Sequence, residues 1–293
     1  MANAVLEVKN LTKYYKKTKV VENLDFKIDA KEIVGFIGPN GSGKSTTIKA
    51  ILNLIIKDHG SVEIFGKDLE KNHKEIMRYV GYCPSYPSFF ETMVARKFFS
   101  FSNSLYDEDY TENYISLAKE MKLNLDQKIN EMSEGNQKKV MLINALFHNP
   151  KFILLDEPTS TLDPGTSAVL FNILRNLRDR GSAVLFSSHN LSDIQKTCDR
   201  VIILKEGGKI KDLAITDLRF AHKRIHLITE KEFDFNNYQL SGMKDIKKRG
   251  NSVNFLFVGN VNDLIKKLNK DKVLDITIEN PTLDEIFMHF YTD

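Results

Sequence analysis

The sequence predicts an α/β protein in which a mostly parallel sheet core carries an inserted helical subdomain and is followed by a small C-terminal α+β domain. Short apolar strands alternate with helical patterns through residues 1–217, which favours a parallel sheet covered by helices on both faces. A helix-rich stretch at about 88–148 has no strand pattern and interrupts this alternation. After about residue 217 the pattern changes again, so we predict two domains, 1–217 and 218–293.

The composition is that of an ordinary globular protein, with 42% hydrophobic and 28% charged residues among 293. A net charge of +3 argues against a broad cationic surface, so no nucleic-acid partner is expected. The two cysteines have no metal-ligand spacing and are interpreted as buried free thiols. No apolar run approaches the roughly 18 residues of a spanning helix, and the N-terminus has no signal-peptide pattern. We therefore expect a chain that is soluble by itself.

The individual elements follow from the period of the apolar residues. In the first domain, alternation of apolar and polar residues predicts half-buried edge strands at 4–9 and 24–28. Continuous apolar segments predict buried strands at 33–37, 61–65, 79–82, 152–156, 183–187 and 201–204. Helices are predicted to begin near Gly43–Ser45 and to cover Ser167–Arg180. In the second domain we predict strands at 224–229, 253–258 and 273–278, and helices at 261–270 and 282–291.

A glycine-rich segment between a predicted strand and a predicted helix has the pattern of a phosphate-binding loop. It consists of Gly38, Pro39, Asn40, Gly41, Ser42, Gly43, Lys44, Ser45 and Thr46. Its glycines let backbone N–H groups approach phosphate oxygens, and the following helix directs its positive end at the same anion. Lys44 is predicted to neutralise the β- and γ-phosphates and Ser45 to ligate Mg²⁺, whereas the alternative is a glycine turn that holds a lysine by chance. We therefore predict a phosphate-loop ATPase that binds ATP and Mg²⁺.

Two adjacent carboxylates, Asp156 and Glu157, end the apolar strand that begins at Phe152. A buried strand has no use for paired acids at its end unless a positive group sits there. Asp156 is predicted to hold Mg²⁺ through its water shell, and Glu157 to act as the general base on the attacking water. The alternative is a strand end that reaches solvent.

Three further segments are typical of one class of phosphate-loop proteins. Pro158–Pro164 follows the carboxylate pair, Leu185–His189 ends another buried strand, and Met132–Val140 opens a helix upstream. In this order they resemble the ATP-binding-cassette (ABC) ATPase family, and the resemblance covers residues 4 to about 217. It implies an ATPase whose two cassettes dimerise, and it adds His189 to Lys44 and Glu157 as a catalytic residue.

The resemblance also assigns roles to residues at the nucleotide. Tyr15 is similar to the aromatic residue that stacks on adenine, and His189 to the switch histidine that contacts the γ-phosphate. Core packing of Tyr15, stacking by Tyr14 instead, and a purely structural His189 are the alternatives. Ser133 and Gly135 match the signature segment, which in this family binds the γ-phosphate held by the opposite subunit, and Asp163 matches the aspartate that communicates across the dimer.

Two departures from the family's pattern matter. The signature usually reads Leu-Ser-Gly-Gly-Gln, whereas Glu134 stands here at its third position. Ser85 stands where the family has a glutamine that joins Mg²⁺ to the transporter interface, and its hydroxyl has less reach than an amide. Both departures put the quality of hydrolysis in question, not nucleotide binding, and Ser85 stays a candidate metal ligand.

The segments outside the cassette motifs indicate a partner. In family transporters the region after Ser85 receives a helix of the membrane subunit. Five phenylalanines at 89–101 are interpreted either as an apolar groove for that helix or as the hydrophobic core of the helical subdomain. Glu279–Phe287 resembles the ending of exporter ATPases. We expect a separate integral membrane transporter subunit, a second identical or different ATPase subunit, and a location on the cytoplasmic face of the membrane. The alternatives are a soluble ABC protein acting on ribosomes or DNA, and a degenerate regulatory cassette.

Overall fold

The computed structural model describes residues 4–86, 92–217, 222–230, 242–268, 273–282 and 285–286. The chain divides into two compact units, Met1–Asp212 and Leu213–Asp293, each with its own hydrophobic core. Among the described residues no helix is long and apolar enough to cross a membrane.

The described part of the first unit contains nine strands, most of a tenth and seven helices. The strands are β1 (Ala4–Tyr15), β2 (Thr18–Asp29), β3 (Ile33–Ile37), β4 (His59–Ile64), β5 (Lys67–Asp68), β6 (Val80–Cys83), β7 (Phe152–Asp156), β8 (Ala183–Ser187), β9 (Arg200–Lys205) and β10 (Gly208–Ala214). The helices are α1 (Lys44–Ile51), α2 (Leu69–Met77), α3 (Ala95–Asn103), α4 (Thr111–Glu120), α5 (Glu134–Leu146), α6 (Pro164–Asp179) and α7 (Leu191–Thr197).

The central sheet has six strands in the order β10-β9-β3-β8-β7-β6. Its pairs β3–β8, β3–β9, β6–β7 and β7–β8 are parallel, and every residue of β3, β7 and β8 is buried. Because these three strands run in the same direction, their carboxyl ends meet at one edge, where ligands bind in open α/β sheets. This edge carries the phosphate loop, the carboxylate pair and the segment that ends in His189.

A second, antiparallel sheet has the order β2-β1-β4-β5. The prediction of edge strands at 4–9 and 24–28 was therefore wrong in one respect, because β1 lies between β2 and β4 in a separate sheet. Alternate residues such as Leu6, Val8 and Phe26 face a core that also contains Phe36 of β3. One sheet therefore packs on the other across a shared apolar layer.

The stretch between β6 and β7 is helical, with α3, α4, α5 and a short 3-10 turn at Ile129–Glu131. Its aromatic residues divide between core and surface: Phe99 is buried and stacks on Tyr114, whereas Phe101 and Tyr86 are exposed. Core packing thus explains part of the phenylalanine cluster. Phe89 and Phe90 lie outside the described residues.

The second unit contains one antiparallel sheet and one described helix of regular length. Its strands are β11 (His222–Thr229), β12 (Met243–Arg249), β13 (Ser252–Val258) and β14 (Val273–Glu279), in the order β12-β13-β11-β14, and its helix is α8 (Val261–Leu268). Leu264 and Leu268 of α8 pack against Ile225, Leu227 and Phe255 of the sheet. The helix predicted at 282–291 lies mostly outside the described residues.

Candidate functional site

The glycine-rich loop connects β3 to α1 and has backbone conformations that favour glycine. Gly41 and Gly43 have φ angles of 82° and 96°. A Cβ atom on Gly43 would also lie 2.6 Å from the carbonyl oxygen of Val20. The first residue of α1 is Lys44, so the loop leads directly into a free helix N-terminus. The first backbone N–H groups of such a terminus have no acceptor within the helix, so it is suited to bind an anion.

The Lys44 side chain folds back over this loop. Its Nζ donates to the carbonyl oxygen of Gly38 at 2.7 Å and to that of Pro39 at 3.2 Å. Burial lowers the pKa of Lys44, and the charges of Glu157 and Asp156 oppose this shift. The cation is thus held at the loop by neutral acceptors, which a phosphate oxygen can replace with a stronger, charge-assisted bond.

Asp156 is 1% exposed and is held by two serine hydroxyls from neighbouring strand ends. Ser187 at the end of β8 donates to its Oδ1 at 2.7 Å, and Ser85 after β6 donates to its Oδ2. The Ser187 oxygen also accepts the backbone N–H of Glu157 at 3.0 Å. Ser187 therefore connects both members of the carboxylate pair, a contact that the sequence analysis did not identify.

Glu157 and His189 are in direct contact. The Glu157 Oε2 lies 2.6 Å from the His189 Nδ1, and the Glu157 backbone has a φ of 49°. A left-handed backbone is uncommon for a glutamate and occurs preferentially at functional sites. Here it directs the side chain that follows the buried Asp156 out of the strand towards the histidine. The glutamate side chain is 18% exposed and that of His189 is 64% exposed.

Lys138 of α5 is a further residue that the sequence analysis did not single out. It is 2% exposed, and its Nζ donates to the carbonyl oxygens of Pro84, Ser85 and Asp156. Burial lowers its pKa, whereas nearby Cys83, Asp156 and Glu157 act in the opposite direction. Its position in the sequence could have revealed Lys138 as unusual. Together with Met141, Leu142 and Ala145 it occupies the buried side of α5, where a lysine is uncommon.

A cavity of 1060 Å³ brings most of the predicted nucleotide residues together. The phosphate-loop residues 38–46, Ser85, Glu157 and His189 all line it. Glu134, Gln137 and Lys138 of α5 line it as well. Polar oxygen and nitrogen atoms thus surround one space at the edge of the parallel sheet, as a polar, anionic ligand requires.

The predicted signature residues line a second cavity of 480 Å³, together with Asp163. Ser133 is the N-cap of α5 and accepts the backbone N–H of Asn136, and Asp163 is the N-cap of α6. The Asp163 carboxylate accepts from the backbone and hydroxyl of Thr166, and these bonds lower its pKa. A Cβ on Gly135 would lie 2.8 Å from the carbonyl oxygen of Thr161, so glycine is needed for this close approach.

Tyr15 is separate from both cavities. Its side chain is 48% exposed at the end of β1, and the Lys13 ammonium lies 5.7 Å from the ring centroid. This exposure excludes the alternative that Tyr15 is a core residue. Tyr14 is partly buried, and its backbone N–H donates to Asp58 at 2.7 Å.

Comparison with known proteins identifies relatives over most of the chain. Residues 21–160 match the family model described as ABC transporter. The chain is 34% identical to an uncharacterised ABC transporter ATP-binding protein of Methanocaldococcus jannaschii, over 71% of this chain and 79% of that protein. It is 28% identical to the bacitracin transport ATP-binding protein of Bacillus licheniformis, over 98% of this chain and 97% of the relative. It is 33% identical to the lipopolysaccharide export system ATP-binding protein of Haemophilus influenzae, over 70% and 88%.

Solved structures agree with the fold. An ATP-binding subunit of an ABC transporter superposes with a TM-score of 0.70 at 30% identity, over 73% of this chain and 92% of that chain. A dimeric ATP-binding cassette in a post-hydrolysis state, bound to ADP and Pi, superposes with a TM-score of 0.65 at 26% identity, over 72% and 98%. The predicted fold class, a phosphate-loop ATPase core, is confirmed.

Proposed function

The chain belongs to the ABC transporter family of ATP-binding proteins and is an ATPase, and from this premise we propose that it powers export of a substrate through a separate membrane-spanning partner. The observation that carries the site assignment is the single cavity in which the phosphate loop faces the Glu157–His189 pair. Phosphate recognition and activation of water both need residues at one place, and this edge of the sheet supplies them.

We assign the chemistry to three side chains. Lys44 leaves its loop carbonyls and neutralises the β- and γ-phosphates of ATP. Glu157 accepts a proton from the attacking water, and its left-handed backbone and contact with His189 fix the position of the carboxylate. His189, whose Nδ1 contacts Glu157 and whose side chain is largely exposed, is assigned to contact with the γ-phosphate. Tyr15, whose exposed ring stands beside Lys13, is assigned to adenine stacking.

The side chains assigned to the metal carry oxygen atoms that fit a magnesium ion. The carboxylate of Asp156 and the hydroxyls of Ser45 and Ser85 are hard oxygen donors, which Mg²⁺ prefers together with retained waters. Bound Mg²⁺ would neutralise charge on the β- and γ-phosphates. Ser85 already donates to Asp156, so the serine at this position supports the metal site through the carboxylate, with little reach beyond it.

Completion of the site requires a second cassette. Ser133, Gly135 and Asp163 line a cavity separate from the one formed by the phosphate loop. We assign Ser133 and Gly135 to the γ-phosphate of ATP held by the opposite subunit, because an N-terminal serine hydroxyl and backbone amides suit an anion, and Asp163 to communication across the dimer. Two copies related by a twofold axis would each supply both parts.

The export direction is supported by relatives whose names specify bacitracin transport and a lipopolysaccharide export system. The bacitracin relative matches almost the whole chain, including the second unit. We infer a partner that crosses the membrane as a separate polypeptide, and a location of this chain on the cytoplasmic face. The exposed Tyr86 and Phe101 offer apolar contacts for a helix of that partner.

The test is affinity purification of the Glu157→Gln variant from detergent-solubilised native membranes in the presence of ATP, followed by mass spectrometry of the co-eluting proteins. We expect one integral membrane protein in stoichiometric amount, because an ATP-bound chain that cannot complete hydrolysis should retain its partner. The Lys44→Ala variant is the matched control, since it lacks the phosphate contact.

The two outcomes separate the candidate functions. Recovery of ribosomal or DNA-repair components without a membrane protein would favour the soluble ABC protein and contradict the export proposal. A membrane partner whose substrate accumulates inside cells when Lys44 is replaced would support export, whereas loss of uptake would reverse the proposed direction.

A further inference from the structure

The buried Lys138 connects three parts of the ATPase site. Its Nζ lies 2.9 Å from the carbonyl oxygen of Pro84, 3.1 Å from that of Ser85 and 3.4 Å from that of Asp156. The first two acceptors follow β6 and the third ends β7, whereas the lysine itself belongs to α5. One ammonium group therefore joins a helix to the ends of two neighbouring strands.

Packing alone does not explain a lysine at this position. The side chain is 2% exposed, and burial of an ammonium group carries a desolvation cost that a methionine or leucine would avoid. An ammonium group has three N–H donors, and here each has a backbone carbonyl acceptor within hydrogen-bonding distance. All three acceptors are neutral carbonyl oxygens. Lys138 therefore contributes three directed hydrogen-bond donors at this position, and not an ion pair.

The acceptors are positions whose geometry matters for hydrolysis. Ser85 donates through its hydroxyl to Asp156, so the backbone of Ser85 determines where that hydroxyl meets the carboxylate. The same helix begins five residues earlier at its N-cap, Ser133, in the other cavity. A rigid helix therefore runs from the cavity assigned to the opposite subunit's nucleotide to the carboxylate beside the phosphate loop.

We propose that Lys138 is a positioning residue that holds the Pro84–Ser85 segment and the carboxyl end of β7 in register with α5. Movement of α5 when the second cassette binds is then transmitted to Asp156 and Ser85 through one side chain. This inference rests on the proposed roles of Asp156 and Ser133 in hydrolysis.

The experiment compares Lys138→Met, Lys138→Gln and the control Lys119→Met, which changes an exposed lysine of α4 in the same helical stretch. Steady-state ATP hydrolysis gives kcat and KM, and thermal unfolding reports the fold. Lys138→Met should lower kcat about tenfold, as expected for loss of charged hydrogen bonds, with KM for ATP changed less than about twofold. Lys138→Gln should recover kcat to within about threefold of the wild-type value, because its amide donates two hydrogens to carbonyls.

A wild-type kcat in Lys138→Met, or a kcat in Lys138→Gln as low as in Lys138→Met, would overturn the proposal. If Lys138→Met does not fold, the kcat and KM of Lys138→Gln decide. A fall in kcat together with an equal rise in KM for ATP contradicts a positioning role. The Glu157→Gln variant is assayed beside them. Turnover that does not depend on Glu157 would instead contradict the proposed site, and the two failures are thereby distinguished.

Discussion

Asp156 accepts hydrogen bonds from Ser85 and Ser187, and this pair of serines determines how the buried carboxylate is held. Ser187 also fixes the backbone of Glu157, so one hydroxyl orients the candidate metal ligand and the candidate general base together. The substitution of serine for the family's glutamine at position 85 therefore does not leave the carboxylate without a donor. Serine at position 85 has a shorter reach than glutamine, but it still donates a hydrogen bond to the carboxylate.

His148 makes the stability of the chain depend on pH. It is buried after α5 and stacks on Tyr106 with ring centroids 4.6 Å apart. Burial lowers its pKa to about 4 from an ordinary value of 6.5, and the backbone of Val80 acts in the opposite direction. Between these values the unfolded chain binds a proton that the folded chain does not, so the free energy of unfolding falls as pH falls from 6.5 towards 4.

Replacing His148 by phenylalanine should remove this contribution while keeping an aromatic ring beside Tyr106. Urea unfolding at pH 7, 6 and 5 should give a smaller loss of stability at low pH than in the wild type, by up to about 1.4 kcal/mol for each pH unit. His59→Gln, at an exposed position in β4, serves as the control and should keep the wild-type slope. An unchanged slope in His148→Phe would show that another group causes the acid sensitivity.

The N-terminus of α5 combines two requirements that oppose each other. Glu134 is exposed in the first turn, where a negative charge interacts favourably with the helix dipole. The same residue lines both cavities, in one of which we place the γ-phosphate of the opposite subunit's ATP. The glutamate therefore stabilises the helix and repels the proposed ligand.

Glu134→Gly should consequently raise the rate of ATP hydrolysis and lower the free energy of unfolding by about 0.5–1.5 kcal/mol. Phosphate release and urea unfolding measure the two effects. The matched control is Glu112→Gly, in the first turn of α4 and away from both cavities, which should lower stability without changing turnover. Unchanged or lower turnover in Glu134→Gly would show that the carboxylate does not oppose the phosphate.

The whole molecule carries two separate parts of the proposed ATPase site. Lys44 and Glu157 line one cavity, and Ser133 and Asp163 line another. If each chain contributes one part to each of two sites, ATP acts as the contact between subunits. The solved cassette that superposes at a TM-score of 0.65 is a dimer.

ATP should therefore control the oligomeric state. Glu157→Gln with MgATP is expected to elute at twice the monomer mass in size exclusion with light scattering, because the nucleotide persists between the subunits. Lys44→Ala under the same conditions, and Glu157→Gln with ADP, should remain monomeric. Dimerisation of Glu157→Gln that is independent of nucleotide would contradict the shared site.

Local patterns in the sequence determined the parallel core and the phosphate loop. Ile33–Ile37, Phe152–Asp156 and Ala183–Ser187 are strands as predicted, because a continuous apolar run of this length that ends at polar residues has few other stable environments. Gly41 and Gly43 were predictable because their left-handed conformations depend on the residue itself.

Contacts between distant residues were decided only by the tertiary structure. The sequence gives no indication that β1 pairs with both β2 and β4, because pairing depends on which edges meet. α2 was missed because it buries only Leu69 and Ile76, too few apolar residues for a clear period. The hydrogen bond from the buried Lys138 to Pro84 joins residues 54 positions apart, and the hydrogen bond from Ser85 to Asp156 joins residues 71 positions apart. Chemistry of single residues can be predicted from local sequence, whereas the partners that orient them depend on the folded chain.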